Sequence, residues 1–436
     1  MSPSIGPEIA PTRLEDRVMT FLVMVLMGAL VLWPNAVPLS IALVAVTVVL
    51  MRLRSADRSW VRPLDAPTLM LLALFYGWHL VGMAWSSNMT YGLFDLEVKA
   101  SLLVFPVFFW VWPKQHRIDV DRVLALFCWV NVLAVALCSA VAVWRFASEL
   151  HLRGQGLLPA DPAYTNHFFE SRFSLFLHPG YMAMYLCMAL GLWVLTGAWR
   201  SHGRSTNAAV IGALLLGVML CNSKMGWITA VLVIVQAIMA LHKEPVLRRP
   251  LVIMAAVGAL AFGGLLIAFP TVSGKITQAF EATGAIDPTS DQSSQLRRMV
   301  WKSALSVIAE APILGVGTGD VKDALQTRFT AFGYVVPAAK HMNAHGQFLQ
   351  SAAALGAIGG ALALGVVVSL LLSGRRDGLA MLLGLLTLLN WSVESMAEVQ
   401  AGVVFLGSMA WLITLRKLGD PSRTSPHDPI QPAPHR

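Results

Sequence analysis

The feature that most limits what this chain can become is a recurrence of apolar stretches near the length of a bilayer crossing. They fall at 17–33, 36–52, 66–86, 92–112, 123–144, 176–198, 207–221, 225–242, 250–269, 346–372, 378–395 and 399–415. Inside lipid every backbone polar group must be satisfied within the fold, which leaves helices or closed barrels. Stretches of this length specify helices, so the expected fold is all-α and polytopic, with about twelve transmembrane helices. Composition agrees, because 56% hydrophobic and 13% charged residues over 436 positions is too apolar for a soluble enzyme of that size.

The formal charge of +8 at first suggests a polyanion partner such as nucleic acid. The basic residues instead fall in every second connection: Arg52, Arg54, Arg58 and Arg62; Lys114, Arg117 and Arg122; Arg200 and Arg204; Lys243, Arg248 and Arg249; Arg375 and Arg376. That alternation is the positive-inside pattern, and it places those loops and both termini in the cytoplasm. The intervening connections WPNAVP, SSNMTYG and CNSKMG hold only Lys224.

The expected organisation is a cytoplasmic tail over 1–16, helices one to nine over 17–269, and an outer loop with amphipathic helices over 270–345. Helices ten to twelve follow over 346–415, and a disordered cytoplasmic tail over 416–436. The first sixteen residues lack the apolar core and cleavage site of a signal peptide, so the first span is expected to remain as an anchor. Cys128, Cys138, Cys187 and Cys221 lie in or beside spans without CxxC spacing, which suits packing rather than disulfides or zinc.

Within the long outer loop, DPTSDQSSQLRRMVWKSALSVIAEAP opens on capping residues. Met299, Val300, Ala304, Leu305, Val307 and Ile308 then recur near helical spacing, predicting an amphipathic helix folded over the bilayer surface. A second helical pattern runs from Val321 to Phe332. No internal repeat or matching pair of broken helices is evident, which argues against a carrier.

HMNAHGQFLQ, at 341–350, carries two histidines four positions apart. On a helix His341 and His345 would share a face, half of a zinc site, but Met342 stands where HExxH needs its glutamate. His341 is better read as a backbone hydrogen-bonding residue at the membrane surface. His345 sits among polar residues expected near the same outer face: Lys99, Arg172, His178, Lys224, Arg297 and Glu394. A charge at mid-membrane costs on the order of 2.5 to 3.5 kcal/mol, so this many call for a polar cavity. Lys99 and Glu394 could neutralise one another between helices. Arg172, Arg297 and Lys224, read as a cation surplus without acidic partners, suit a phosphate-bearing ligand.

Two other motifs are weaker. GVGTGD, at 315–320, lacks Walker spacing and a preceding strand, so it reads as a turn. Asp119 and Asp121 have the spacing by which sugar-nucleotide transferases hold a divalent ion, yet an Asp ahead of VLALFCWV is an ordinary helix cap.

NAHGQFLQ at a span entrance, after a large outer loop with RxxxW (Arg297 to Trp301) and PILGVGTGD, resembles the bacterial O-antigen ligase and polymerase superfamily. Where that family carries HN and a serine followed by arginine, this chain has His345–Gly346 and Ser223–Lys224. The resemblance implies transfer of a polysaccharide from undecaprenyl pyrophosphate to the lipid A core on the periplasmic face of the bacterial inner membrane. It also implies inversion at the anomeric carbon, without cofactor or metal. Chemistry is compatible: pyrophosphate leaves readily if cations stabilise it, as Arg172, Arg297 and Lys224 would. A sugar hydroxyl needs a base, and His345 is the candidate. Glu394 would orient His345 or the acceptor, with Asn343 and Gln347 shaping the rim and His178 and Lys99 in support.

Acceptors are not distinguished by sequence. Polymerases of the superfamily extend a second lipid-linked glycan, and a related branch glycosylates pilins. From other classes, a small-anion transporter would spread its charges through membrane depth, and a scaffold would tolerate alanine at the His and Arg positions.

Overall fold

The computed structural model describes residues 13–55, 66–153, 167–241 and 286–418, with isolated positions between these segments. Every regular element among the described residues is helical, consistent with an all-α membrane protein. Among the described residues, five helices are long and apolar enough to cross a bilayer: Pro34–Arg54, Pro67–Trp85, Val120–Glu149, Gln347–Gly374 and Gln400–Leu418. Five shorter ones are also apolar: Ser101–Trp110, Pro179–Leu195, Arg204–Leu220, Lys224–Ala240 and Gly378–Val393. The expected span at 250–269, apart from isolated positions, and the tail beyond Leu418 lie outside the described residues.

Local chemistry sets the helix ends. Helix α1 (Leu14–Leu32) carries Glu15 and Asp16 in its first turn, where they complement the dipole, and starts inside the segment expected to be a tail. Helices α2 (Val37–Arg54) and α3 (Pro67–Gly82) each have proline in the first turn, where its missing N–H costs nothing. Asp119 accepts from Arg122 N at 3.0 Å and caps α6 (Val120–Arg153), while Asp121 pairs with Arg416 at 2.7 Å. Both carboxylates of DVD thus have structural partners.

The expected span at 92–112 is two helices, α4 (Met89–Lys99) and α5 (Ser101–Trp110). Ala100 N donates to Glu97 O at 3.2 Å, a tightened turn that separates a polar segment holding Asp95, Glu97 and Lys99 from an apolar one. Helix α7 (Pro179–Leu195) is the centre of the bundle, buried from Tyr181 to Val194 by α6, α8 (Arg204–Leu220), α9 (Lys224–Ala240) and α14 (Gly378–Val393). A helix apolar on all sides has to be buried in protein or lipid. The four cysteines are free and buried. At the perimeter, Phe21, Leu39 and Val46 of α1 and α2 are exposed, as suits a lipid-facing surface.

The long outer segment forms α10 (Ser293–Glu310), α11 (Val321–Ala331) and the short α12 (Val335–Ala339). The buried stripe of α10 is Leu296, Met299, Val300, Ser303, Ala304 and Val307. Leu305 lies one position, hence about 100° of helix rotation, off that stripe, and it is 56% exposed. The stripe packs on Leu325 and Phe329 of α11, Tyr334, and Ala353 to Leu355 of α13 (Gln347–Gly374). The apolar face is therefore consumed by protein contacts and not by the bilayer surface.

GVGTGD is more than a turn. Helix α13 is interrupted at Gly356 (φ 65°, ψ −162°), a break not foreseen from the sequence. The segment around Gly315 docks on it: Val316 N donates to Ala353 O at 3.1 Å, Gly317 N to Ala354 O at 2.8 Å, and Ala357 N to Pro312 O at 2.8 Å. Backbone groups freed by the break are thereby satisfied. Asp320 then accepts from Ser87 N and Asn88 N, at 2.8 and 2.7 Å, tying the segment to the start of α4.

The last helix, α15 (Gln400–Leu418), carries the helical path three residues into the expected tail. Lys417 meets Asp377, the N-cap of α14, at 3.2 Å, and Arg416 meets Asp121 at the start of α6. These ion pairs gather the helix ends that bear the basic loops. The opposite ends of α7, α9 and α14 converge below α10.

Candidate active site

A cavity of about 400 Å³ opens where the N-termini of α7 and α9, the C-terminus of α14 and the first turns of α10 meet. Its acidic, basic and histidine lining is Glu170, His178, Lys224, Arg297 and Glu394. Its volume is that of a small-ligand pocket. The expectation of a cation surplus without acidic partners fails, because two carboxylates share the wall with Lys224 and Arg297.

His178 caps α7, its Nδ1 accepting from Gly180 N at 3.3 Å. Lys224 opens α9, whose cap is Ser223, accepting from Gly226 N at 3.2 Å. Arg297 is held by Ser293 Oγ at 2.8 Å and by the Val393 carbonyl at 3.4 Å, and its Nη2 lies 3.7 Å from Glu394 Oε1. Arg172 is exposed and not among the lining residues, although Glu170 and Ser171, just before it, are. Glu170 and Asn222 both adopt left-handed backbone (φ 60° and 50°) and are joined at 3.1 Å from Asn222 Nδ2 to Glu170 Oε1.

The decapeptide 341–350 is not helical before Gln347. His341 and His345 have φ of 47° and 41°, so they cannot share one helical face, and the half-site geometry for zinc is lost. His341 is exposed, its backbone N–H donating to Ala338 O at 3.3 Å. A non-glycine residue in the left-handed region is strained and needs support. At His345 this comes from Asn343 Oδ1, which accepts from His345 N at 2.9 Å, and from Trp301 Nε1, which donates to His345 O at 3.0 Å.

His345 Nδ1 lies 3.0 Å from Glu394 Oε2. An ionised carboxylate only accepts, so the imidazole donates through Nδ1 and keeps its Nε2 lone pair. Burial acts to raise the Glu394 carboxyl, but the hydrogen bond and charge of His345, then Arg297 and His178, bring it below the usual glutamate value. His345, Glu394 and Arg297 are 25%, 27% and 29% exposed, so all three remain reachable by a ligand.

Lys99 does not meet Glu394. It is 1% exposed and pairs with Asp95 one helical turn back and with Glu398 at 2.8 Å. Gln347 is fully buried, its Oε1 accepting from Ala397 N at 2.7 Å and its Nε2 donating to Ser351 Oγ at 3.1 Å. Sequence reasoning missed Ser395, which accepts from Gly346 N at 3.2 Å, and Gln350, which accepts from Ala344 N at 3.0 Å. It also missed the partners of Lys99. Spacing held the signal for Asp95 and Trp301, each four residues from a residue already singled out on the same helix.

With ionised Glu394 fixing an imidazole beside a cavity that holds Lys224 and Arg297, the site can take a proton at one place and bind an anion at another. The O-antigen ligase family model matches residues 208–364. That stretch takes in Lys224, Arg297, Asn343 and His345 and stops short of Glu394. No curated protein matches the chain. By this match, the stretch that carries the histidine and two of its basic companions is similar to the O-antigen ligase family.

Proposed function

We propose that this protein transfers O-polysaccharide from undecaprenyl pyrophosphate to a sugar hydroxyl of the lipid A core, with inversion at the anomeric carbon. The observation that carries this reading is the His345–Glu394 hydrogen bond at the edge of a cavity lined by Lys224 and Arg297. His345 takes the acceptor hydroxyl's proton as its oxygen attacks the anomeric carbon. The bond to the pyrophosphate oxygen breaks, and Lys224 and Arg297 stabilise the departing charge. Glu394 acts through His345 as a positioning residue, and Asn343 holds the histidine backbone. On this reading the chain crosses the bacterial inner membrane about twelve times, with cytoplasmic termini and the cavity on the periplasmic side.

The test is reconstitution. Purified protein in nanodiscs is given lipid-pyrophosphate-linked polysaccharide with lipid A core, a second lipid-linked glycan, or pilin. Sugar on the lipid A core supports the reading, whereas sugar only on one of the other two reassigns the acceptor.

Arg297→Ala is expected to raise KM for the donor about tenfold or more, since a charged hydrogen bond contributes roughly 1.5 to 3 kcal/mol. Steady-state kinetics on the folded variant checks this, and an unchanged donor KM would remove Arg297 from the anion site. The pH profile follows from Glu394. Its lowered folded value keeps the carboxylate ionised above the ordinary glutamate value near ~4.3, and its contribution fades only as pH falls below that. The ratio of wild-type to Glu394→Gln rates is therefore expected to stay constant from about pH 5 upward, and a ratio that changes with pH in that range would show the Glu394 carboxyl titrating there.

A further inference from the structure

The geometry points to Lys99 and Glu398 as positioning residues for the transfer site, acting through the connection between α14 and α15. This rests on the reading of His345 as the base.

The connection, 394–399, makes four separate ties along a single compact turn. Glu394 holds the His345 ring at 3.0 Å, Ser395 Oγ accepts from Gly346 N at 3.2 Å, and Ala397 N donates to Gln347 Oε1 at 2.7 Å. Three of its residues thus grip His345 and the two residues after it. The fourth tie faces elsewhere, with Glu398 Oε1 lying 2.8 Å from Lys99 Nζ at the end of α4. Glu398 N donates to Ser395 O at 3.1 Å, so the two ends of the turn move together. Gly402 allows α15 to close on it, since a Cβ there would sit 2.2 Å from Met396 O.

Lys99 is itself fixed by Asp95, and the lysine is 1% and Asp95 and Glu398 are 6% and 9% exposed. Burying three charged groups is a poor way to gain stability, because apolar residues of similar volume usually serve as well. What a buried ionic cluster supplies that an apolar one does not is a directional tie of fixed length, and here it links α4 to the turn that orients the base. Slack in that tie passes to Glu394 and so to the imidazole, where misplacement of about 1 Å can cost on the order of 100-fold in rate.

Glu398→Leu cuts the tie while leaving Lys99 neutralised by Asp95, so no lone charge is buried. Glu398→Gln keeps an acceptor for Lys99. Both are measured in nanodiscs for thermal unfolding and for kcat and donor KM, alongside His345→Ala. We expect E398L to remain folded, lose about 10- to 100-fold in kcat and keep its donor KM, with E398Q falling between it and wild type. Wild-type kcat in folded E398L, or a loss confined to KM, would overturn the inference. Should E398L not fold, Glu398→Ala decides, a reduced kcat at constant KM supporting the tie and a wild-type kcat removing it. An active His345→Ala would instead defeat the base assignment, a separate failure from that of the tie.

Discussion

Replacing His345 by alanine is expected to lower transfer by about 10²- to 10⁴-fold while the protein still inserts and binds its lipid-pyrophosphate donor. The size reflects the loss of a positioned base for a hydroxyl that is a poor nucleophile when protonated. The backbone duties of residue 345, donation to Asn343 and acceptance from Trp301, survive the substitution. Its left-handed φ of 41° suits alanine less well, so His345→Asn is the better matched variant, asparagine being one of the residues that adopt this region readily. Both variants should be inactive and the asparagine form should melt close to wild type. Full activity in His345→Ala membranes would contradict the assignment.

Gly356→Ala is expected to be the most disruptive substitution of a small residue in the bundle. The break in α13 uses a combination of φ and ψ that is essentially reserved for glycine, costing about 1 to 3 kcal/mol for other residues. A Cβ there would also stand 2.0 Å from Ile313 O, in the segment docked against the break. Relief requires that segment to withdraw, exposing the backbone bonds at Val316, Gly317 and Ala357. A loss of about 3 kcal/mol or more follows, read as a lowered unfolding temperature in nanodiscs. Gly360→Ala, four residues on, is the control, since its Cβ would meet nothing nearer than Ala352 Cβ at 3.4 Å. Equal melting of the two variants would show that the break is not rigidly held.

Much of the architecture was legible because hydrophobic run length and periodicity act locally. The apolar runs behind α1 to α3, α6 to α9 and α13 to α15, together with α10 and α11, follow from residues within each segment. The break at Gly356 was not legible, as a glycine in an apolar helix reads the same whether or not another segment docks on it. The division at Ala100 was missed for a related reason. Hydropathy averages over Asp95 and Lys99, and only the position of Glu398, some 300 residues later in the chain, makes the lysine a tertiary anchor.

The site was partly legible for the same physical reason. Polar residues at membrane edges are costly enough to attract notice singly, so His345, Glu394, Arg297, Lys224 and His178 stood out without any knowledge of contacts. Pairing is a property of the fold. Lys99 was matched with Glu394 when its partners are Asp95 and Glu398, and Arg172 was placed with the other cations when Glu170 and Ser171 line the wall in its stead.

The most direct measurement is a structure of the protein in nanodiscs with undecaprenyl pyrophosphate bound. The account places the diphosphate in the cavity below α10, within hydrogen-bond reach of Lys224 and Arg297, with the His345 ring still held by Glu394. Diphosphate density at the opposite end of the bundle, among Arg54, Arg122 and Arg416, would contradict it.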